Sequence, residues 1–148
     1  MSITLTGIAF KKAKLGQMLP VDSADVTVEK GVNNDIFGRP GKRQVTLLSA
    51  QQWQQACNEL QQPLDWLTRR ANLLIEGYIF SANDVGKSIR IGNDCILEIT
   101  GETDPCGKME QAVKGLEAAL SPDWRGGVTA RVIKSGKITL TDQVSLNE

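Results

Sequence analysis

The sequence predicts a mainly-β domain, a closed or nearly closed β-barrel with a few short helices. Most segments alternate apolar and polar residues with period two. Gly, Asn and Asp clusters separate them at Gly31 to Asp35, Gly38 to Gly41, Gly92-Asn93-Asp94 and Ser135-Gly136. So many short strands would leave unpaired edges, and barrel closure removes edges.

Taken in order, Ile3 to Phe10 is the first strand. Val26 to Val28 and Gln44 to Leu48 follow, then Asn72 to Glu76, Ser88 to Ile91 and Cys95 to Thr100. Val128 to Lys134 and Ile138 to Leu140 complete the series, and the Gly92-Asn93-Asp94 and Ser135-Gly136 clusters read as hairpin turns. Two helices interrupt the strands. Ser49-Ala50-Gln51-Gln52 has the capping-box pattern and leads into Trp53, Ala56, Cys57 and Leu60 on one face. The second helix is expected from about Pro105 to Leu120, with Met109, Val113, Leu116 and Leu120 as its apolar stripe. A short helical turn near Pro63 would pack Leu64 and Leu67.

The 148 residues fit one domain spanning 1–148 with a real core. Lys+Arg and Asp+Glu both number 17, and aromatics make up only 5% with no basic stripe between them, so nucleic acid is not an expected partner. No window has the ~18–20 apolar residues of a membrane span. The first residues lack the charged start and apolar block of a signal peptide, so the expected location is cytoplasmic with no membrane partner.

There is no histidine. That removes the commonest general base and metal ligand and excludes a Ser-His-Asp hydrolase. Chemistry is therefore sought first at sulfur. Cys57, Cys95 and Cys106 are odd in number and form no C-x-x-C pair, so neither a disulfide framework nor a metal site is expected. Cys57 lies on the apolar stripe of the first helix and Cys95 shares strand parity with Leu97 and Ile99, so both read as core. Cys106 stands in the polar turn Thr103-Asp104-Pro105-Cys106-Gly107. Asp104 suits an N-cap and Pro105 a first helical position, which would set Cys106 at a helix mouth where the thiolate is favoured. Glu102 and Asp104 oppose that, with Lys108 and Arg125 as local cations to offset them. The alternative is a cysteine that only packs under the helix start.

Arginines precede several strands. Arg43 stands before Val45, Arg69 and Arg70 before Leu73, and Arg125 beside Gly126-Gly127 before Val128. Such arginines could converge at one barrel end and hold an anion around the thiol. They could equally be solvated strand ends and a tight turn.

Six blocks stand in a telling order: Gly31-Val32-Asn33-Asn34-Asp35, Arg43 to Leu48, Arg70-Ala71-Asn72-Leu73 with Gly77, Ile89 to Gly92, Pro105-Cys106, and Arg125-Gly126-Gly127-Val128 with Gly136-Lys137-Ile138. Together they resemble the MOSC domain, named for the C-terminal domain of molybdenum cofactor sulfurase, from Gly31 to Val144. The resemblance implies a β-barrel-based fold and a sulfur carrier: Cys106 would take sulfur as a persulfide and pass it to a metal–sulfur acceptor. It implies a link to the molybdenum cofactor (molybdopterin), with Asp35, Arg43, Arg70, Asn72, Arg125, Gly126 and Gly127 as cofactor-binding candidates. The expected partner is a sulfur donor or redox protein. Some stand-alone bacterial relatives are linked to detoxifying N-hydroxylated bases, so a molybdenum-dependent oxidoreductase subunit is one alternative. A non-catalytic anion-binding module is another. The chain departs from the pattern where Asn34 takes a glycine position and Thr141-Asp142 replaces Gly-Asp. Asn tolerates the left-handed conformation that such a turn needs. No pyridoxal-phosphate site is evident.

Overall fold

A computed structural model describes residues 2–14 and 16–147. Its elements are β1 (Ile3–Phe10), β2 (Leu19–Pro20), β3 (Ser23–Thr27), β4 (Gly31–Val32), β5 (Val45–Ser49), α1 (Ala50–Leu60), β6 (Leu73–Glu76), β7 (Ser88–Ile91), β8 (Cys95–Glu102), α2 (Gly107–Ala112), α3 (Leu116–Leu120), β9 (Val128–Lys134), β10 (Gly136–Thr139) and β11 (Gln143–Asn147). Seven strands close a barrel in the order β1-β11-β7-β8-β9-β5-β6 and back to β1. β2 extends β1, and β10, β3 and β4 form a separate small sheet. All neighbours are antiparallel except β5 and β6. A parallel pair needs a crossover, and α1 lies in it.

The position of α1 follows from β5. Successive strand residues face opposite sides, and Leu47 and Leu48 are both buried. Leu47 joins the barrel interior with Leu5, Ile75, Leu97 and Val128. Leu48 points outward into a second core with Trp53, Ala56, Met109, Leu116 and Leu120. The helices thus cover the outer face of β5, and each fully buried Leu contributes roughly 1.5–3 kcal/mol. Ser49 caps α1 by accepting the Gln52 N–H at 3.3 Å. The capping box is only half formed. The Gln52 side chain instead donates to the carbonyls of Phe80 (3.0 Å) and Asp123 (2.8 Å), tying two loops to α1.

The expected second helix is two helices. Gly115 sits at φ +89 between α2 and α3, and the Glu110 carboxylate accepts the N–H groups of Gly115 (2.8 Å) and Glu117 (3.3 Å). The apolar stripe survives the break: Met109, Leu116 and Leu120 are buried together. Ser135-Gly136 is not a hairpin turn, because β9 pairs with β8 and β5 while β10 crosses to β3. The chain there runs close over the β7–β8 turn, where a Cβ on Gly136 would lie 2.6 Å from the Cys95 nitrogen. The short turn expected near Pro63 forms at Trp66–Arg69, capped by the Asp65 carboxylate.

Beyond β6, Asp84 is buried and accepts hydrogen bonds from the Ser81 N–H (2.9 Å), the Tyr78 hydroxyl and the Lys87 ammonium (2.9 Å). Burial alone would raise its pKa, but these donors outweigh it and the carboxyl is held below the usual aspartate value. A depressed folded value adds stability above the unfolded value and loses it as pH falls through the folded one. Urea midpoints of the wild type and Asp84→Asn are therefore expected to differ at neutral pH and to converge in acid.

Candidate functional site

Cys106 follows an extended stretch that leaves β8. It is the N-cap of α2, with φ −136 and ψ 177, and its side chain makes no capping bond. This corrects the expected register, in which Asp104 capped and Cys106 stood inside the helix: the chain stays extended through Cys106 and the helix begins at Gly107. α2 has only six residues. The placement by burial follows the strand and stripe parity: Cys57 and Cys95 are buried and Cys106 is exposed. Burial pushes the Cys95 thiol up to about 12.

Cys106 lines a cleft of about 180 Å³. The loop before β5 brings Arg43, the turn before β6 brings Arg69 and Arg70, the end of β1 brings Lys11, and α2 brings Lys108. One carboxylate joins them, Asp35, whose Oδ1 already accepts the Lys11 N–H at 2.9 Å. Five cations against one engaged carboxylate make the cleft strongly cationic in a chain whose net charge is zero.

The cations are held differently. Arg69 is buried; its Nε donates to the Gly126 carbonyl (3.0 Å) and its Nη2 to the Thr103 carbonyl (3.1 Å). It pins the segment leading to Cys106 against the start of β9. Burial lowers its pKa, the neighbouring Cys106 opposes that, and Arg43 adds to the lowering. No carboxylate pairs with it among the described residues. The Lys11 ammonium donates to the Lys14 carbonyl (3.0 Å) and lies 4.7 Å from the Phe37 ring centroid. Its pKa is lowered by burial, then by Arg70 and Lys108, with Asp35 opposing. Arg70, at φ +69, spends one donor on the Gly16 carbonyl (3.1 Å). Arg43 and Lys108 make no side-chain hydrogen bond to protein among the described residues, which leaves them free for an anion.

Asn72 also lines the cleft, but its amide is committed to the barrel. Its Oδ1 accepts the Thr46 N–H (3.0 Å) and hydroxyl (3.2 Å), and its Nδ2 donates to the Ala9 carbonyl (3.1 Å). Those bonds join β1, β5 and β6 beneath the cleft. Asn72→Ala would strand a buried carbonyl and an N–H at about 1–3 kcal/mol each. At about 2–4 °C per kcal/mol for a domain of this size, the melting temperature is expected to fall by roughly 4–24 °C in a calorimetric scan.

The structure brings Asp35, Arg43, Arg70, Asn72 and Cys106 to one cleft and leaves Arg125, Gly126 and Gly127 outside its lining. The Arg125 guanidinium pairs with Glu59 of α1 and donates to the Ala119 carbonyl at 3.2 Å. Gly126 and Gly127 stand behind the thiol segment: their carbonyls accept from Arg69 and from the Thr103 N–H (2.9 Å). Asn34 adopts φ +70, so the turn without glycine keeps its left-handed shape. Among cleft residues, Lys11 and Phe37 carried no signal in the sequence, since a lysine ending a strand and a loop aromatic have many uses. Arg69 was visible only as one of a pair. Among the described residues no three Cys, Asp or Glu side chains gather as a metal-binding group, and no helix is long and apolar enough to cross a membrane.

A family model described as MOSC domain matches residues 33–145. No curated protein sequence matches the chain significantly. Among solved structures the chain is similar to the YuaD protein from Bacillus subtilis, at 17% identity and TM-score 0.83, over 99% of this chain and 96% of that one. It is similar to YiiM from Geobacillus stearothermophilus at 16% identity and TM-score 0.78, over 99% and 75% of the two chains. YiiM from Escherichia coli aligns at 14% identity and TM-score 0.73, over 98% and 70%. At these identities the likeness is one of fold.

Proposed function

The chain belongs to the MOSC domain family, and on that premise we propose that it is a molybdenum-cofactor-linked sulfur carrier working through Cys106. One observation carries the reading: the one exposed thiol of three lines a cleft with five cations and a single engaged carboxylate.

In the proposed step the Cys106 thiolate attacks the terminal sulfur of a persulfide on a donor protein. A sulfur–sulfur bond forms at Cys106, the donor's bond breaks, and the donor leaves as its thiolate, so no outside oxidant is needed. Arg69, Arg43 and Lys108 line the same cleft and are the positive charges available to the persulfide anion. When bound, the molybdenum cofactor would supply a sulfur-accepting metal centre and an anionic phosphate. The lining fits such a group, because a soft thiol stands beside cationic hydrogen-bond donors suited to a phosphate. Arg43, Lys108 and the remaining Arg70 donors would hold the anion, while Arg69 keeps the thiol segment in place.

The reading is tested by loading the protein from a small-molecule persulfide donor and comparing Cys106→Ser. Sulfur uptake by the wild type and none by the variant is the expected result; equal uptake by both removes Cys106 from the role.

A further inference from the structure

The lining of the thiol cleft has two chemically distinct parts. One is soft: the Cys106 thiol with the Met18 and Met109 thioethers and the Phe37 ring. The other is cationic, with Arg43, Arg69 and Lys108. We propose that the cleft takes thiosulfate, its sulfane sulfur going to Cys106 and its sulfonate oxygens to the cations, and that the chain accepts sulfur from this inorganic dianion. The proposal deepens the proposed function by naming a small-molecule donor. It rests on that reading in one respect, that Cys106 carries sulfur.

Arg69 is the first support. It is only 7% exposed, yet it forms no ion pair among the described residues. Nε and Nη2 are spent on the Gly126 and Thr103 carbonyls, and Nη1 makes no hydrogen bond to protein among the described residues. A buried charge faced only by carbonyl dipoles is costly, and an anion seated beside it removes that cost. The two carbonyls already fix the guanidinium, so little side-chain entropy is lost when an anion binds.

Size and softness are the second. At about 30 Å³ per water in the liquid, a cleft of about 180 Å³ has room for roughly six water-sized units. That is the scale of a compact inorganic ion, below the usual ~300–1,000 Å³ of a site for a drug-sized ligand. Thiosulfate has the same two ends as the lining. Its sulfane sulfur is polarisable and suits thioethers and an aromatic ring. Its sulfonate suits arginine and lysine donors.

The step balances without an outside oxidant or reductant. The Cys106 thiolate attacks the sulfane sulfur and a sulfur–sulfur bond forms at the cysteine. The bond from that sulfur to the sulfonate breaks, and its electron pair leaves on sulfite. Cys106 is left as the persulfide anion, and no proton is gained or lost. Thiolate and dianion repel each other in water; cations lining the cleft they share offset that repulsion.

The test is a single-turnover reaction of the full chain with thiosulfate, reading released sulfite and the mass of the Cys106 peptide, with a small-molecule persulfide donor in parallel. Sulfite equimolar with protein and a gain of about 32 Da on that peptide are expected, with neither in Cys106→Ser. Arg43→Glu and Lys108→Glu should each raise the half-saturating thiosulfate concentration about tenfold or more, the loss of one charge-assisted contact. Both side chains are exposed, so the fold should tolerate the change. No sulfite at about 10 mM thiosulfate, above the usual range of KM, overturns the proposal. If the persulfide donor still loads Cys106 in that case, the sulfur-carrier reading stands without it. Half-saturation that ignores both charge reversals also overturns the proposal, by removing the cations from the anion's seat. Sulfite released by Cys106→Ser at the wild-type rate does the same for the thiol. Loading by neither donor overturns the proposal and the sulfur-carrier reading together.

Discussion

Gly127→Ala is expected to destabilise the fold by several kcal/mol. Gly127 sits at φ +96, in the left-handed region where a Cβ is strained by roughly 1–2 kcal/mol. The strain is the smaller part. A Cβ there would run into the Leu47 carbonyl oxygen, with Leu48 close behind. Both belong to β5, which pairs with β6 on one side and β9 on the other, so the obstacle is backbone that cannot swing away. Relief would require opening the Leu47–Val128 register or releasing the Gly127 carbonyl from the Thr103 N–H. The expected cost is about 3–5 kcal/mol, a drop of roughly 6–20 °C in melting temperature. Gly107→Ala is the control, since nothing lies within 4 Å of a Cβ there. At the start of α2 the added methyl should be neutral or stabilising by up to about 1 kcal/mol. Equal thermal shifts for the two variants would contradict the account of the β5–β9 seam.

Cys106→Ser is expected to abolish sulfur loading while leaving the fold intact. The residue is exposed and caps nothing, so the stability change should stay within about 0.5 kcal/mol. The other cysteines cannot take over. Cys57 is buried on α1 within the second core. Cys95 lies inside the barrel with its thiol pushed up to about 12, which leaves about one part in 10⁵ as thiolate at neutral pH. Steady-state transfer to an acceptor should therefore fall to background, not to a fraction of wild type. Residual transfer of a tenth or more would mean that a second thiol reaches the donor.

The strands were legible because barrel strands declare themselves by alternation: Cys95, Leu97 and Ile99 are buried at every second position, as the period requires. β11 was not anticipated. Only Val144 of its five residues is buried, so its alternation is faint although it closes the barrel. β2 and β4, two residues each, exist through their partners and have no pattern of their own. The helix break at Gly115 was hidden because the apolar stripe runs on at helical spacing across it; Glu110 reaching forward to cap α3 is a side-chain event that spacing does not record. At the site, Cys106 was found by elimination and by its turn. Arg43 and Arg70 were found as strand-leading arginines, and the structure brings them to the thiol. Arg125 looked equivalent in the sequence but turns to Glu59, a residue 66 positions away. Arg69 stood beside Arg70 throughout, yet its role comes from two carbonyls, at Thr103 and Gly126, that only the folded chain brings together.

The central claim is that sulfur rides on Cys106. The direct measurement is mass spectrometry of protein expressed in a host that makes the molybdenum cofactor, first intact and then as peptides. The account predicts a gain of about 32 Da, one sulfur as persulfide, on the peptide carrying Cys106, removed by reductant and absent from Cys106→Ser. The same gain mapped to Cys57 or Cys95, or protein that takes up no sulfur from a persulfide donor, would contradict it.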